Sequence, residues 1–256
     1  MTLSGVLHHE DMATYWIGTS GYSYKHWKGG FYPASLPDGE MLRYYAERFA
    51  AVEINYTFYR MASVRQLQSW AKETPDHFTF TLKAPRRITH DLRLRDAADA
   101  AVDFCDTARA LKHKLGALLF QLPPFLKRDT PRLEDFLHQM PEGFRVAFEF
   151  RNPTWFTDEV YDTLRRFGVA LCVVEAPERN VPLEVTADFG YFRLRQPEYT
   201  DADLAEAAAR IQNAAANWRD VFIYFKHEDT GQGPLFAARL RALLEGVDTP
   251  LAATCS

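Results

Sequence analysis

Residues 52–58 read VEINYTF, and the alternation in this short stretch decides the fold. Its β-branched and aromatic residues predict a strand. Successive side chains of a strand face opposite ways, so Val52, Ile54, Tyr56 and Phe58 are expected toward a helix layer and Glu53, Asn55 and Thr57 toward an interior. Working outward, the same composition recurs at 16–20 (WIGTS), 78–84 (FTFTLKA), 116–122 (GALLFQL), 145–151 (RVAFEFR), 170–175 (ALCVVE), 190–195 (GYFRLR) and 221–227 (VFIYFKH), which makes eight strands in all. Helical spacing fills most of the gaps, as in DAADAAVDFCDTARALKHK at 96–114 and TDADLAEAAARIQNAAANW at 200–218. In the second of these, Thr200 or Asp201 is a natural N-cap, with acidic residues in the first turn. Between the sixth and seventh strands, APERNVPLEVTAD carries two prolines and no apolar period, so a full helix is not expected there.

Strands alternating with helices imply a parallel sheet with right-handed crossovers, and eight such units favour closure over an open sheet. The expected fold is therefore α/β, a single (β/α)8 TIM-type barrel lacking a full helix between strands 6 and 7. Residues 15–246 form the expected barrel domain, with tails at 1–14 and 247–256. The length of 256 residues matches one closed barrel and leaves no room for a second large domain.

Composition narrows the class. With 47% hydrophobic and 25% charged residues the chain can bury a sizeable core, which excludes disorder and fibrous folds. A net charge of −4 gives no global basic excess and hence no strong nucleic-acid signal. Cys105, Cys172 and Cys255 are far apart and form no C-x-x-C pair, which argues against a disulfide framework or zinc knuckle. The N-terminus lacks a signal-peptide pattern and no apolar run nears the roughly 18 residues needed to cross a bilayer, so the expected location is cytoplasmic, with no membrane partner.

Extending the alternation places polar groups in the lumen from most strands: Glu53 and Asn55, Lys83, Gln121, Glu149 and Arg151, Glu175, Arg193 and Arg195, and Lys226 followed by His227. Barrel interiors are filled mainly by branched apolar residues, so this concentration calls for an explanation. Three inward carboxylates (Glu53, Glu149, Glu175) face five cations (Lys83, Arg151, Arg193, Arg195, Lys226), a surplus of two positive charges. Unpaired buried charge is costly, so the cluster is expected to reach water or to take an anionic ligand. The opposing expectation is an ion network that satisfies itself without function. The long first loop, GTSGYSYKHWKGGFYP at 18–33, adds Tyr22 and Trp27, and the end of the second strand adds Tyr59, as expected walls of a pocket at the carboxyl ends of the strands.

At these residues the sequence resembles the family called domain of unknown function 72, or YecE-like. The resemblance runs from Ile17 to Leu243 through IGTSGYSYKHWKGGFYP, VEINYTFYR, FTLKAPRRITHD, LLFQLPP, FEFRNPTWF, YFRLR and YFKHEDTGQGP, in that order. It implies a (β/α)8 barrel and carries no established reaction. Family members resembling this chain often have His-Gly after the seventh-strand arginine and an Asn-Asn pair ending the eighth strand. This chain has Arg195-Gln196 and Lys226-His227 instead, which points to a different ligand.

No phosphate-binding, dinucleotide-binding or zincin motif is present, and Ser20 has no evident partner histidine. The leading expectation is an acid/base enzyme of hydrolase, lyase or isomerase type, with Glu53, Glu149 and Glu175 catalytic. Tyr22, Trp27, Asn55, Tyr59, Lys83, Gln121, Arg151, Arg193, Arg195, Lys226 and His227 would bind a small anionic molecule, phosphorylated or carboxylated and sugar-like in size. No cofactor is expected. The rival readings are a metal-assisted isomerase, lyase or hydrolase holding a divalent ion on the three carboxylates, and a non-catalytic protein that binds a metabolite or nucleic acid.

Overall fold

The computed structural model describes residues 13–177, 179–226 and 231–246. Its strands in chain order are β1 (Thr14–Ser20), β2 (Ala51–Ile54), β3 (Thr79–Lys83), β4 (Leu115–Gln121), β5 (Val146–Glu149), β6 (Ala170–Ala176), β7 (Arg179–Asn180), β8 (Phe189–Leu194) and β9 (Asp220–Phe225). The sheet runs β5-β4-β3-β2-β1-β9-β8-β6, every one of these pairs is parallel, and a β5–β6 pairing closes it into an eight-stranded barrel. The two-residue β7 is an antiparallel addition to the end of β6, pairing Glu175 with Asn180.

Helices α1 (Met41–Ala46), α3 (Val64–Glu73), α4 (Ala98–Ala108), α5 (Thr130–His138), α6 (Asp158–Phe167), α7 (Asp201–Ala215) and α8 (Gly233–Glu245) cover the outside, and the single turn α2 (Tyr56–Tyr59) follows the end of β2. Among the described residues no helix lies between β6 and β8, as the prolines there require. Thr200 caps α7 through a reciprocal box in which its hydroxyl accepts from the Asp203 backbone while the Asp203 carboxylate accepts from the Thr200 backbone.

The outward strand residues form the core with the helices. Phe80 stacks on Trp70 of α3, Phe120 and Phe148 meet Phe136 of α5, and Phe192 meets Trp218. Each buried phenylalanine contributes on the order of 2 kcal/mol by leaving water. β1 and β2 approach so closely that a Cβ on Gly18 would lie 1.9 Å from the Ala51 carbonyl oxygen, so only glycine fits. Inside, the amino-terminal half is sealed by Tyr191, Phe222 and Tyr224, with the Tyr224 hydroxyl 2.8 Å from that of Thr81.

The structure departs from the alternation in two places. The second strand stops at Ile54, and the chain enters helical backbone at Asn55 (φ −82°, ψ −22°) to form the single turn α2. Tyr56 and Phe58 therefore leave the helix-facing set, and they follow the strand's end into the barrel mouth. At the other place, Glu175 lies outward on β6, because Cys172 shares the interior with Glu149 and Glu53 and so sets the opposite parity. The Glu175 carboxylate pairs with Arg210 of α7 in the helix layer.

Candidate functional site

Two groups of charge occupy the carboxyl end of the barrel. The lower one is dry. Glu53 and Glu149 have no exposure and Arg193 is 1% exposed. Arg193 bridges the two acids, Nη2 donating to Glu53 Oε1 at 2.8 Å and Nη1 to Glu149 Oε2. Glu53 also accepts from Ser20 Oγ and from the Tyr191 hydroxyl, both at 2.6 Å. Arg151 Nε donates to Glu149 Oε1 at 3.2 Å, and Arg195 Nη1 stands 4.0 Å from the same oxygen. Burial would raise the Glu149 carboxyl, but the guanidinium groups of Arg193, Arg151 and Arg195 outweigh it and hold the acid far below the carboxylate range.

The upper group lines a cavity of about 560 Å³ beneath the first loop and α2. Its polar wall comes from Tyr22, Asn55, Tyr59, Gln66, Lys83 and Lys226, and Trp70 adds an apolar face. Among the described residues its lining includes two lysines and no Asp or Glu. Lys83 ends β3 and is fixed through its backbone, since its carbonyl accepts from Thr57 Oγ1 at 2.7 Å. Its Nζ donates to Gln121 Oε1 at 2.9 Å and lies 4.1 Å from the centre of the Phe58 ring. Burial foremost, then the Arg193 cation, lower the Lys83 amine to about 7, with Glu149 and Glu53 acting the other way. Among the described residues neither polar atom of the Asn55 amide has a hydrogen-bond partner, although both atoms are buried. Tyr22 is pushed up to about 12 by burial and by Glu73, so its hydroxyl keeps its proton. His90, packed edge-on against Phe58, is lowered to about 4 by burial and then by Lys83, Arg151 and Arg86.

The expected site residues thus divide. Tyr22, Asn55, Tyr59, Lys83 and Lys226 meet around the cavity, and Gln121 stands directly behind Lys83. Glu53, Glu149 and Arg193 do not reach it, because they use their hydrogen bonds on one another. Arg193 and Arg195, expected to bind an external anion, both stand against the protein's own Glu149. Trp27 is not a wall: it is 2% exposed and packs among Tyr24, Phe31 and Tyr32 inside the first loop. Glu175 lies outside the barrel, and His227 lies outside the described residues. With Glu175 turned outward and Arg193 lodged between the other two acids, the three carboxylates do not form a metal site. Among the described residues no group of three or more His, Cys, Asp or Glu is placed to hold one. The sequence reading missed Ser20 and Tyr191 as partners of Glu53, although Tyr191 shares the parity of Arg193. It also missed Gln66 and Trp70, which come from a helix that no strand alternation describes.

Comparison with known proteins agrees with this architecture. The family described as protein of unknown function DUF72 matches residues 16–254. The chain is 30% identical over 145 residues to UPF0759 protein YunF of Bacillus subtilis strain 168, covering 53% of this chain and 51% of that protein. It is 34% identical over 127 residues to UPF0759 protein YecE of Escherichia coli strain K12, covering 49% of this chain and 47% of that one. The matches therefore span about half the length of these curated relatives. A crystal structure of a DUF72 family protein from Thermotoga maritima superposes with a TM-score of 0.81 at 27% identity, covering 91% of this chain and 99% of that one. No helix among the described residues is long and apolar enough to cross a membrane.

Proposed function

The chain belongs to the DUF72 family, and we propose that it is an enzyme acting on a small anionic molecule held in the barrel-mouth cavity. One observation carries this reading: among the described residues the cavity is lined by two lysines and no acid, and by Asn55, whose amide no described group satisfies. A phosphate or carboxylate would complement the lysines, and a hydroxyl or carbonyl oxygen on the same molecule would satisfy the amide. The acid/base role passes from Glu53 and Glu149 to Lys83. Those acids are sealed below the cavity, whereas the Lys83 amine exchanges its proton near neutral pH. Tyr22 acts as a hydroxyl donor, and Tyr59, 80% exposed at the rim, offers a ring for the ligand to stack on.

Calorimetric titration with phosphorylated and carboxylated sugars and short acids tests the reading. Saturable binding is expected for at least one class, and Asn55→Leu should weaken it on the order of tenfold, the equivalent of one lost hydrogen bond. The reading fails if none of these compounds binds, or if binding is unchanged in both Asn55→Leu and Lys83→Met.

A further inference from the structure

We propose that Lys83 is a covalent amine, which condenses through Nζ with the carbonyl carbon of a small anionic aldehyde or ketone seated in the cavity. This inference rests on the anionic-substrate reading and names the reactive group of that substrate.

Placement comes first. Lys83 is the last residue of β3, 8% exposed, a lining residue of the cavity whose backbone is pinned by Thr57. Among the described residues no carboxylate lies within salt-bridge distance of Nζ, because the two nearby acids are held by Arg193. An amine meant only to bind an anion gains from staying charged. Here burial removes water and the Arg193 guanidinium adds a like charge, and together they outweigh the Phe58 ring face and the Glu149 and Glu53 carboxylates, which favour the ammonium. An ordinary lysine at pH 7 carries its lone pair in on the order of one molecule in a thousand. Lys83, with its amine near 7, carries it in about half.

The step balances without an outside reagent. The Nζ lone pair attacks the carbonyl carbon and forms the C–N bond, while the C=O π pair moves to oxygen, which takes up a proton. The nitrogen gives up both of its protons, the first to match the one that oxygen takes up and the second as the carbinolamine loses that oxygen as water, leaving C=N–Lys83. Asn55, one residue past the Ile54–Leu82 pairing of β2 with β3, has an amide able to donate to the carbonyl oxygen and accept from the hydroxyl that replaces it. Once protonated, the imine draws electrons from the neighbouring carbon, so the bonds at that carbon are the ones made to react.

Reductive trapping tests this. The full chain is incubated at pH 7 with pyruvate, glyoxylate or glyceraldehyde 3-phosphate and sodium cyanoborohydride, then mapped by peptide mass spectrometry. The expected result is a single saturable adduct on Lys83, with the mass of the reduced imine and a blocked tryptic cleavage after Lys83. It should form several-fold more slowly at pH 6, while Lys25, whose side chain is 83% exposed, stays unlabelled at the same dose. Because mapping is done on the wild type, the result does not depend on whether Lys83→Met folds. Adducts scattered over surface lysines, or none, would overturn the covalent role. If lactate and glycerol 3-phosphate, which lack the reactive carbonyl, nevertheless bind saturably, the anionic cavity survives and only the imine falls. If they also fail to bind, both readings fall together.

Discussion

The two charge groups at the mouth of the barrel are neighbours built from the same residue types, yet they have opposite accounts. In the lower group every acid has its donors: Glu53 accepts from Ser20, Tyr191 and Arg193, and Glu149 from Arg193 and Arg151. In the upper group Lys83 has a neutral amide and an aromatic ring where an acid would suit it, and the Asn55 amide has no partner among the described residues. A buried network whose acids all have donors fixes strands in register even though Arg193 Nε lacks an acceptor among the described residues, whereas an unsatisfied amide on a cavity wall gains most from a ligand. The difference separates scaffold from site more sharply than charge counting does. With Glu175 turned outward, two carboxylates remain against the five cations, but three of those cations gather on Glu149.

The largest effect should come from breaking the lower group. Arg193→Met removes the cation shared by two fully buried acids, and its loss should destabilise the fold by about 3 to 5 kcal/mol. Denaturant titration reads this directly, and a loss below about 1 kcal/mol would mean that the lower group is not the structural lock.

An intermediate effect, of a different kind, should come from the upper group. Lys83→Met should abolish turnover and ligand binding while stabilising the fold at pH 7, since it removes the burial penalty of a cation and no ion pair is lost. Folding lowers the amine from 10.5 to about 7, so between those values the unfolded chain holds a proton that the folded chain has released. The stability of the wild type relative to Lys83→Met should therefore rise from pH 7 toward 10.5, with the full penalty of the buried charge present below 7. Paired denaturation midpoints at pH 6.5, 8 and 9.5 would show the trend, and a flat or falling difference would contradict the burial of a strained amine.

The smallest effect should come from Glu175→Gln. The pair with Arg210 is partly exposed, with side-chain exposures of 18% and 41%, so its loss should change stability by less than about 1 kcal/mol and leave ligand affinity unaltered. A drop in affinity would place Glu175 back in the site.

The barrel was legible in the sequence because its signal is local: two-residue alternation in the strands, the Thr200 cap, and two prolines where a helix would otherwise follow β6. Alternation also found Glu53, Lys83, Gln121, Glu149 and Arg193, all in regular backbone. It failed where the backbone left that regularity, at the turn that begins with Asn55, and where a strand's parity was set by one small residue, Cys172, that the pattern could not rank against Glu175. Nor could it assign partners. Whether Arg193 serves a ligand or Glu149 depends on which side chains from other strands stand within about 3 Å, and that is a property of the closed barrel.

One titration tests the separation of scaffold from site most directly: the side-chain carbon resonances of Lys83 and Glu149 followed by NMR in the same sample. The account predicts that Lys83 loses its proton at about 7 while Glu149 stays ionised down to the acid limit of the folded protein. Titration of the two groups near their ordinary values of 10.5 and 4.5 would contradict it.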